Sequence, residues 1–196
     1  MTGAFVGAEP LDALDALERA RAIGMRRTIL VAHAVRCPEI DITGADPSRL
    51  ASSAEGGTIV DARAFLVSTT ALVDAIALLG PPALCEHMPG SPSFALHLAP
   101  RSPIVHGVLL SLREGELQQI VMDFEPPTRV DFARLAATWG VAGAYPRAPE
   151  GPHPGADRLD LRAGQRTGIL AVGRVDHGDP LDRSRVHRLA FTRFGE

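Results

Sequence analysis

The sequence predicts an α+β fold, a mostly antiparallel twisted sheet of six or seven strands with about three helices on one face. Three observations carry this expectation. Three thirteen-residue segments run from a capping residue to a glycine, and β-rich stretches follow each of them. The chain, at 196 residues with 45% hydrophobic content, is also long enough to close a real core as a single domain over residues 1–196.

The capped segments are DALDALERARAIG (Asp12 to Gly24), STTALVDAIALLG (Ser68 to Gly80) and TRVDFARLAATWG (Thr128 to Gly140). Asp, Ser and Thr accept hydrogen bonds from the free N–H groups of a first helical turn, and glycine relieves the left-handed residue past the last one. In the first helix Leu14, Leu17 and Ile23 mark the apolar stripe. The second is apolar nearly all round, with Asp74 its only charge, and so predicts the most buried helix. The third directs Val130, Phe132, Leu135 and Trp139 inward and Arg129 and Arg134 to water.

Predicted strands follow in pairs. RTILVAHAV and GTIVDARAFLV come after the first helix, IVHGVLLSLR and LQQIVMDF after the second, and RTGILAVGRV and RVHRLAFTRF after the third. Glu114-Gly115 joins the middle pair in a tight hairpin, and SFALHL (93–98) adds a strand. The helix starts at 12, 68 and 128 are similarly spaced, so the chain reads as tandem helix-plus-hairpin repeats over 12–67, 68–127 and 128–196. Residues 37–57 and 141–164 are long loops, and VDHGDPLDRSR (175–185) is a polar crossing. In the middle unit, STTALVDAIALLGPP with its FALHL, VHGVLLSL and ELQQIVMDF strands resembles the helix-and-meander pattern of β-lactamase-inhibitor-like and small outer-membrane lipoprotein folds. The resemblance covers about sixty residues. This chain has no lipobox, and no function is carried over.

Composition excludes several chemistries. All 20 basic residues are arginine, with no lysine or asparagine, a bias expected of a GC-rich bacterial genome. Without lysine there is no Schiff-base nucleophile and no Walker A loop. A net charge of −3 with both signs scattered, one Trp and one Tyr predict no nucleic-acid partner. No run of about 18 apolar residues predicts a membrane helix, and the start lacks a secretory pattern, so a cytoplasmic protein with Cys37 and Cys85 reduced is expected.

The stretch CEHMPGSPSFALHLAPRSPIVHG brings Cys85, His87, His97 and His106 close in sequence, as candidate metal ligands. Their spacing matches no zinc finger or ribbon, HExxH is absent, and no metal or other cofactor is expected. Strand phase turns His106 inward with Ile104, Val108 and Leu110, and His97 to the opposite side from Phe94, Leu96 and Leu98. His33 shares a face with Ile29, Val31 and Val35, which predicts a buried imidazole.

His33, His106 and His187, with Asp61 or Asp123 as the acid, are the candidate catalytic lining of a cavity. Arg185 and Arg188 are the candidate anion-binding pair. Glycines lack the GxGxxG order, and no GxSxG elbow is present. The function expected is therefore a non-catalytic binding or adaptor domain that meets another protein through an open sheet face and long loops. The alternative is a small enzyme or ligand-binding protein with a cavity lined by His33, His106 and an acid. A homodimer joined through RVHRLAFTRF as an edge strand is a further expectation.

Overall fold

A computed structural model of the chain describes residues 8–24, 33–87, 90–124, 128–139, 156–163, 169–176 and 185–193. The elements in chain order are α1 (Ala13–Ala22), β1 (Ala34–Val35), α2 (Ala62–Val67), α3 (Ala71–Leu79), β2 (Pro82–His87), β3 (Ser93–Leu98), β4 (Val105–Arg113), β5 (Glu116–Phe124), α4 (Phe132–Thr138), β6 (Ala156–Ala163), β7 (Ile169–Asp176) and β8 (Val186–Arg193). Two 3-10 turns, Pro47–Arg49 and Ala54–Gly57, lie between β1 and α2. The strands form one sheet in the order β1-β2-β3-β4-β5-β8-β7-β6. Every pairing is antiparallel, and β1 is a two-residue edge beside seven long strands. The α+β fold with an antiparallel sheet is thus as the sequence predicts.

Alternation along the strands gives the sheet two unlike faces. Phe94, Leu96 and Leu98 on β3, Val108, Leu110 and Leu112 on β4, Ile120 and Met122 on β5, and Leu189 and Phe191 on β8 are all buried on the inner face. Their register partners bear this out: Leu96 faces Leu110, Leu110 faces Ile120, and Ile120 faces Phe191. Phe65 of α2, Ala75, Ile76 and Leu79 of α3, and Leu135 of α4 complete this core. Trp139, just past α4, meets Phe191 edge-on with ring centroids 5.5 Å apart.

Three helices therefore cover the inner face, but α1 is not one of them. Ala16, Ala20 and Ile23 pack with Ala34 and Leu84 in a separate cluster. Leu84 points away from Cys85, which belongs to the inner core, so α1 lies on the outer face over β1 and β2. Its buried side is alanine rather than leucine, and Leu14 is 71% exposed, which corrects the expected stripe. Alanine lets a helix approach a strand closely where a leucine row would hold it off.

Three further expectations change. GTIVDARAFLV ends in the helix α2: Asp61 accepts a hydrogen bond from Arg63 N–H at 2.9 Å and acts as its N-cap. Pro82–His87 is the strand β2, which the prolines before it concealed, and β6 occupies part of the expected loop 141–164. Cys37 and Cys85 are joined in a disulfide with Cα atoms 5.1 Å apart, in place of two reduced thiols. Of the stretch RTILVAHAV only 33–35 fall among the described residues, with Ala34–Val35 as strand and 27–32 outside them; 141–155 and 177–184 lie outside as well.

The hairpin at Glu114-Gly115 is as expected, both residues at positive φ, 55° and 82°, which suits the right-handed twist of β4 and β5. Among the described residues the three sequence units contain different elements: one two-residue strand in 12–67, four strands in 68–127 and three in 128–196. The second and third units share an order, helix then meander, and meet through their last strands β5 and β8. β8 is hydrogen-bonded on both sides, to β5 and β7, so it offers no edge for the expected dimer.

Candidate functional site

The outer face between α1 and β8 is built from short cross-strand rows. Leu109, Val121 and Ala190 are successive register partners on β4, β5 and β8, and all three are half-buried. His97 continues that row onto β3. On one side runs Gly107, Asp123 and Arg188; on the other run Ala95, Ser111, Gln119 and Thr192. The amide of Gln119 donates to Thr192 Oγ1 at 2.8 Å. The result is an apolar stripe between two polar rows.

At the β2 end of this face, His97 Nε2 and Glu86 Oε1 are 2.9 Å apart, with side chains 14% and 12% exposed. Register explains the pair: Leu84 faces His97 and Glu86 faces Ala95, so Glu86 reaches His97 diagonally on the same face. Beside it the sheet carries a depression of about 330 Å³, lined by Glu86, Ser93, Phe94, Ala95, Ser111, Leu112, Arg113 and Gln118. Ala95 and Ser111 are direct partners, and Ser93 sits one position along the same face, so three small side chains form the floor. Glu86, Arg113 and Gln118 stand around it as a rim.

None of the residues singled out by sequence as catalytic or anion-binding lines this depression. His33 is exposed and lies immediately before β1, where a buried imidazole was expected. His106 is exposed too. The pairing of β4 with β5 shifts between Val105 and Gly107, which turns Val105 inward and His106 out. The His106 ring lies against Gly24 at the end of α1, where a Cβ would meet its Cε1 at 3.4 Å. His187 is half-buried at the irregularity between Val186 and Arg188.

Asp123 is held by Arg188, whose Nη2 donates to Oδ2 at 2.8 Å and whose Nε donates to Oδ1. The candidate acid and one candidate anion-binding arginine thus satisfy one another. The hydrogen bond to Asp123 outweighs partial burial and raises the Arg188 guanidinium above its ordinary value. Arg185, the other, donates to the carbonyl of Arg129. Asp61 caps α2 and grips Arg63, with Nη2 to Oδ2 at 2.8 Å.

Among the candidate ligands, the sulfur of Cys85 is committed to Cys37. His87 packs on Phe94 with centroids 5.8 Å apart, on the inner side, whereas His97 is on the outer one. Among the described residues no group of three or more His, Cys, Asp or Glu is placed to hold a metal ion. Sequence reasoning placed His97 on the outer face but missed its partner. Glu86 stood in the same stretch as the candidate ligands, but its pairing with His97 was not legible, because β2 itself was not recognised and the diagonal contact needs the register.

Among the described residues no helix is long and apolar enough to cross a membrane. Comparison with protein-family models, curated proteins and solved structures finds no match.

Proposed function

We propose that the chain is a protein-binding domain whose partner lies on the outer face of β3, β4, β5 and β8. The observation that carries this reading is the half-exposed row Leu109, Val121 and Ala190 between two polar rows. An apolar centre with a polar margin is the anatomy of a protein interface, and a rigid antiparallel sheet presents it without ordering cost. The inner face of β3, β4, β5 and β8 supports the reading by being buried under α2, α3 and α4, whereas among the described residues the outer side of these strands keeps accessible surface.

A partner on this face must tolerate neither a bulky charge in the apolar row nor loss of its flatness. Leu109→Arg and Val121→Arg are therefore the test. With the folded domain immobilised, a partner identified from cells expressing the protein should be retained by the unaltered chain and lost by both variants, while circular dichroism stays unchanged. Retention by both variants would refute the interface.

We infer further that the working environment preserves the Cys37–Cys85 bond. A reducing cytoplasm, the place expected from sequence, opens such bonds unless their geometry makes them resistant. Thiol alkylation of the protein in its native cells, followed by mass measurement, separates the two: labelling of both cysteines would place the chain in a reducing compartment.

A further inference from the structure

The depression beside Glu86 adds chemistry to the partner, and this inference rests on the protein-binding reading above. We propose that it receives a short extended segment of the partner protein carrying one acidic and one basic side chain, the acid on Arg113 and the base on Glu86.

The floor is low because Ser93, Ala95 and Ser111 are small and adjacent in register. Its volume of about 330 Å³ lies at the small end of the range for ligand sites, roughly 300–1,000 Å³. Arg113 is exposed and its side chain makes no hydrogen bond or ion pair with any described residue, even though Glu116 is its direct partner across the hairpin. Its guanidinium fork is thus available for a carboxylate, with the Ser111 hydroxyl and the Gln118 amide beside it. Neither of those two side chains is engaged with a described residue.

At the opposite rim, Glu86 is held in place through Oε1 by His97. Its second oxygen, Oε2, has no partner among the described residues and accepts from a cation. A ligand of a single sign would satisfy one rim and confront a like charge at the other. A dipolar one complements both.

Standard sheet spacing sets the separation. Glu86 and Arg113 are two strands apart, and their partners on β3, Ala95 and Ser93, are two residues apart. Strand spacing of about 4.8 Å and a rise of about 3.3 Å per residue put the two Cα atoms roughly 12 Å apart. An extended segment with its acid and base four residues apart spans about 13 Å and turns both side chains to the same face, which matches this separation.

The probe is the blocked peptide acetyl-Lys-Ala-Ala-Ala-Asp-amide, with acetyl-Gln-Ala-Ala-Ala-Asn-amide as the neutral control, titrated into the full chain labelled with nitrogen-15. Saturable shifts are expected at the amides of Ser93 to Ala95 and Ser111 to Arg113 with the charged peptide, and binding at least tenfold weaker with the neutral one. Arg113→Gln and Glu86→Gln should each weaken the charged peptide about tenfold. Since Glu86→Gln also alters the His97 contact, Gln118→Ala, which leaves that contact intact, serves as a second variant and should weaken binding severalfold.

Equal titration by the two peptides, or binding unaffected by Arg113→Gln, overturns the proposal. If the charged peptide fails while Leu109→Arg and Val121→Arg still abolish partner retention, the depression is wrong and the interface stands. If the peptide binds as expected while partner retention survives both arginine variants, the interface reading is the one that fails.

Discussion

At the scale of single residues, two positions carry more than their side chains suggest. Gly80 ends α3 with φ 142° and ψ 167°, and a Cβ there would sit 1.9 Å from the carbonyl oxygen of Ala99. The oxygen cannot withdraw freely, because Ala99 N–H donates to Pro81 and Arg101 N–H donates to Leu79. Gly80→Ala should therefore destabilise the fold by about 3 kcal/mol in urea unfolding, the size of a strained backbone plus a displaced segment; a loss under about 1 kcal/mol would show that the contact relaxes. Asp74 is fully buried, accepting from Asp46 N–H at 2.8 Å and from the Thr70 hydroxyl at 2.7 Å. It fastens the 37–57 segment to α3. Asp74→Ala leaves both donors unsatisfied and should cost about 3 kcal/mol, against about 1 kcal/mol for Asp74→Asn, which retains an acceptor. Equal losses in the two variants would mean that packing, not the acceptor, matters. The sequence showed Asp74 as the lone charge in a buried helix, but its donors come partly from 28 residues away, beyond any local pattern.

Among the elements, the bond between Cys37 and β2 closes a loop of 48 residues. The chain-entropy relation gives about 4 kcal/mol for such a loop, so reduction, or Cys37→Ser with Cys85→Ser, should lower the melting temperature by about 10 °C for a chain of this size. An unchanged melting temperature would show that the segment is fastened by Leu50, Ile59 and Asp74 alone. The helix α2 bears on pH. Burial pushes the Asp61 carboxyl up, but hydrogen bonds from the Arg63 side chain and backbone, the Arg63 charge and the Ala64 N–H outweigh it, leaving it below the ordinary 3.8. A carboxyl lowered by folding contributes stability that is present above about pH 4 and is lost as pH falls through its folded value. Asp61→Asn should therefore be less stable near pH 6 and should flatten the fall in stability below pH 4; parallel curves for the two proteins would contradict that linkage. The sequence offered Val-Asp-Ala-Arg as strand, because alternation and a β-branched run dominate a short window. Asp61 caps a six-residue helix instead, and that choice is made by Phe65 finding the inner core.

For the whole molecule, one continuous sheet joins parts that the sequence divides into units. β4 and β5 lie at its middle with neighbours on both sides, and their inner faces are closed by helices. Amides of β3, β4, β5 and β8 should therefore be the slowest to exchange with deuterium and should share one opening free energy, since they break together. Faster exchange in β8 than in β3 would show that the last two sequence units open separately. The outer face follows from the same topology: helices α2 to α4 fall on one side, α1 covers only the β1–β2 end of the other, and the row of Leu109, Val121 and Ala190 is left half-exposed.

The sequence by itself determined the α+β class, the three helices, the strands β3, β4, β5, β7 and β8, the tight turn at Glu114-Gly115 and the outward phase of His97, although only the Asp12 cap is as expected and the N-caps of α3 and α4 are Thr70 and Asp131 rather than Ser68 and Thr128. These are local properties, set by hydrogen bonds to the next few residues and by the two-residue period of a half-buried strand. Tertiary structure alone decided the place of α1, the turning of His106, the Cys37–Cys85 bond, the mutual neutralisation of Asp123 and Arg188, and the meeting of Glu86, Ser111 and Arg113 around one depression. Each of these depends on contacts between segments distant in sequence, and one residue of slip would send the side chains borne on the strands to the opposite face.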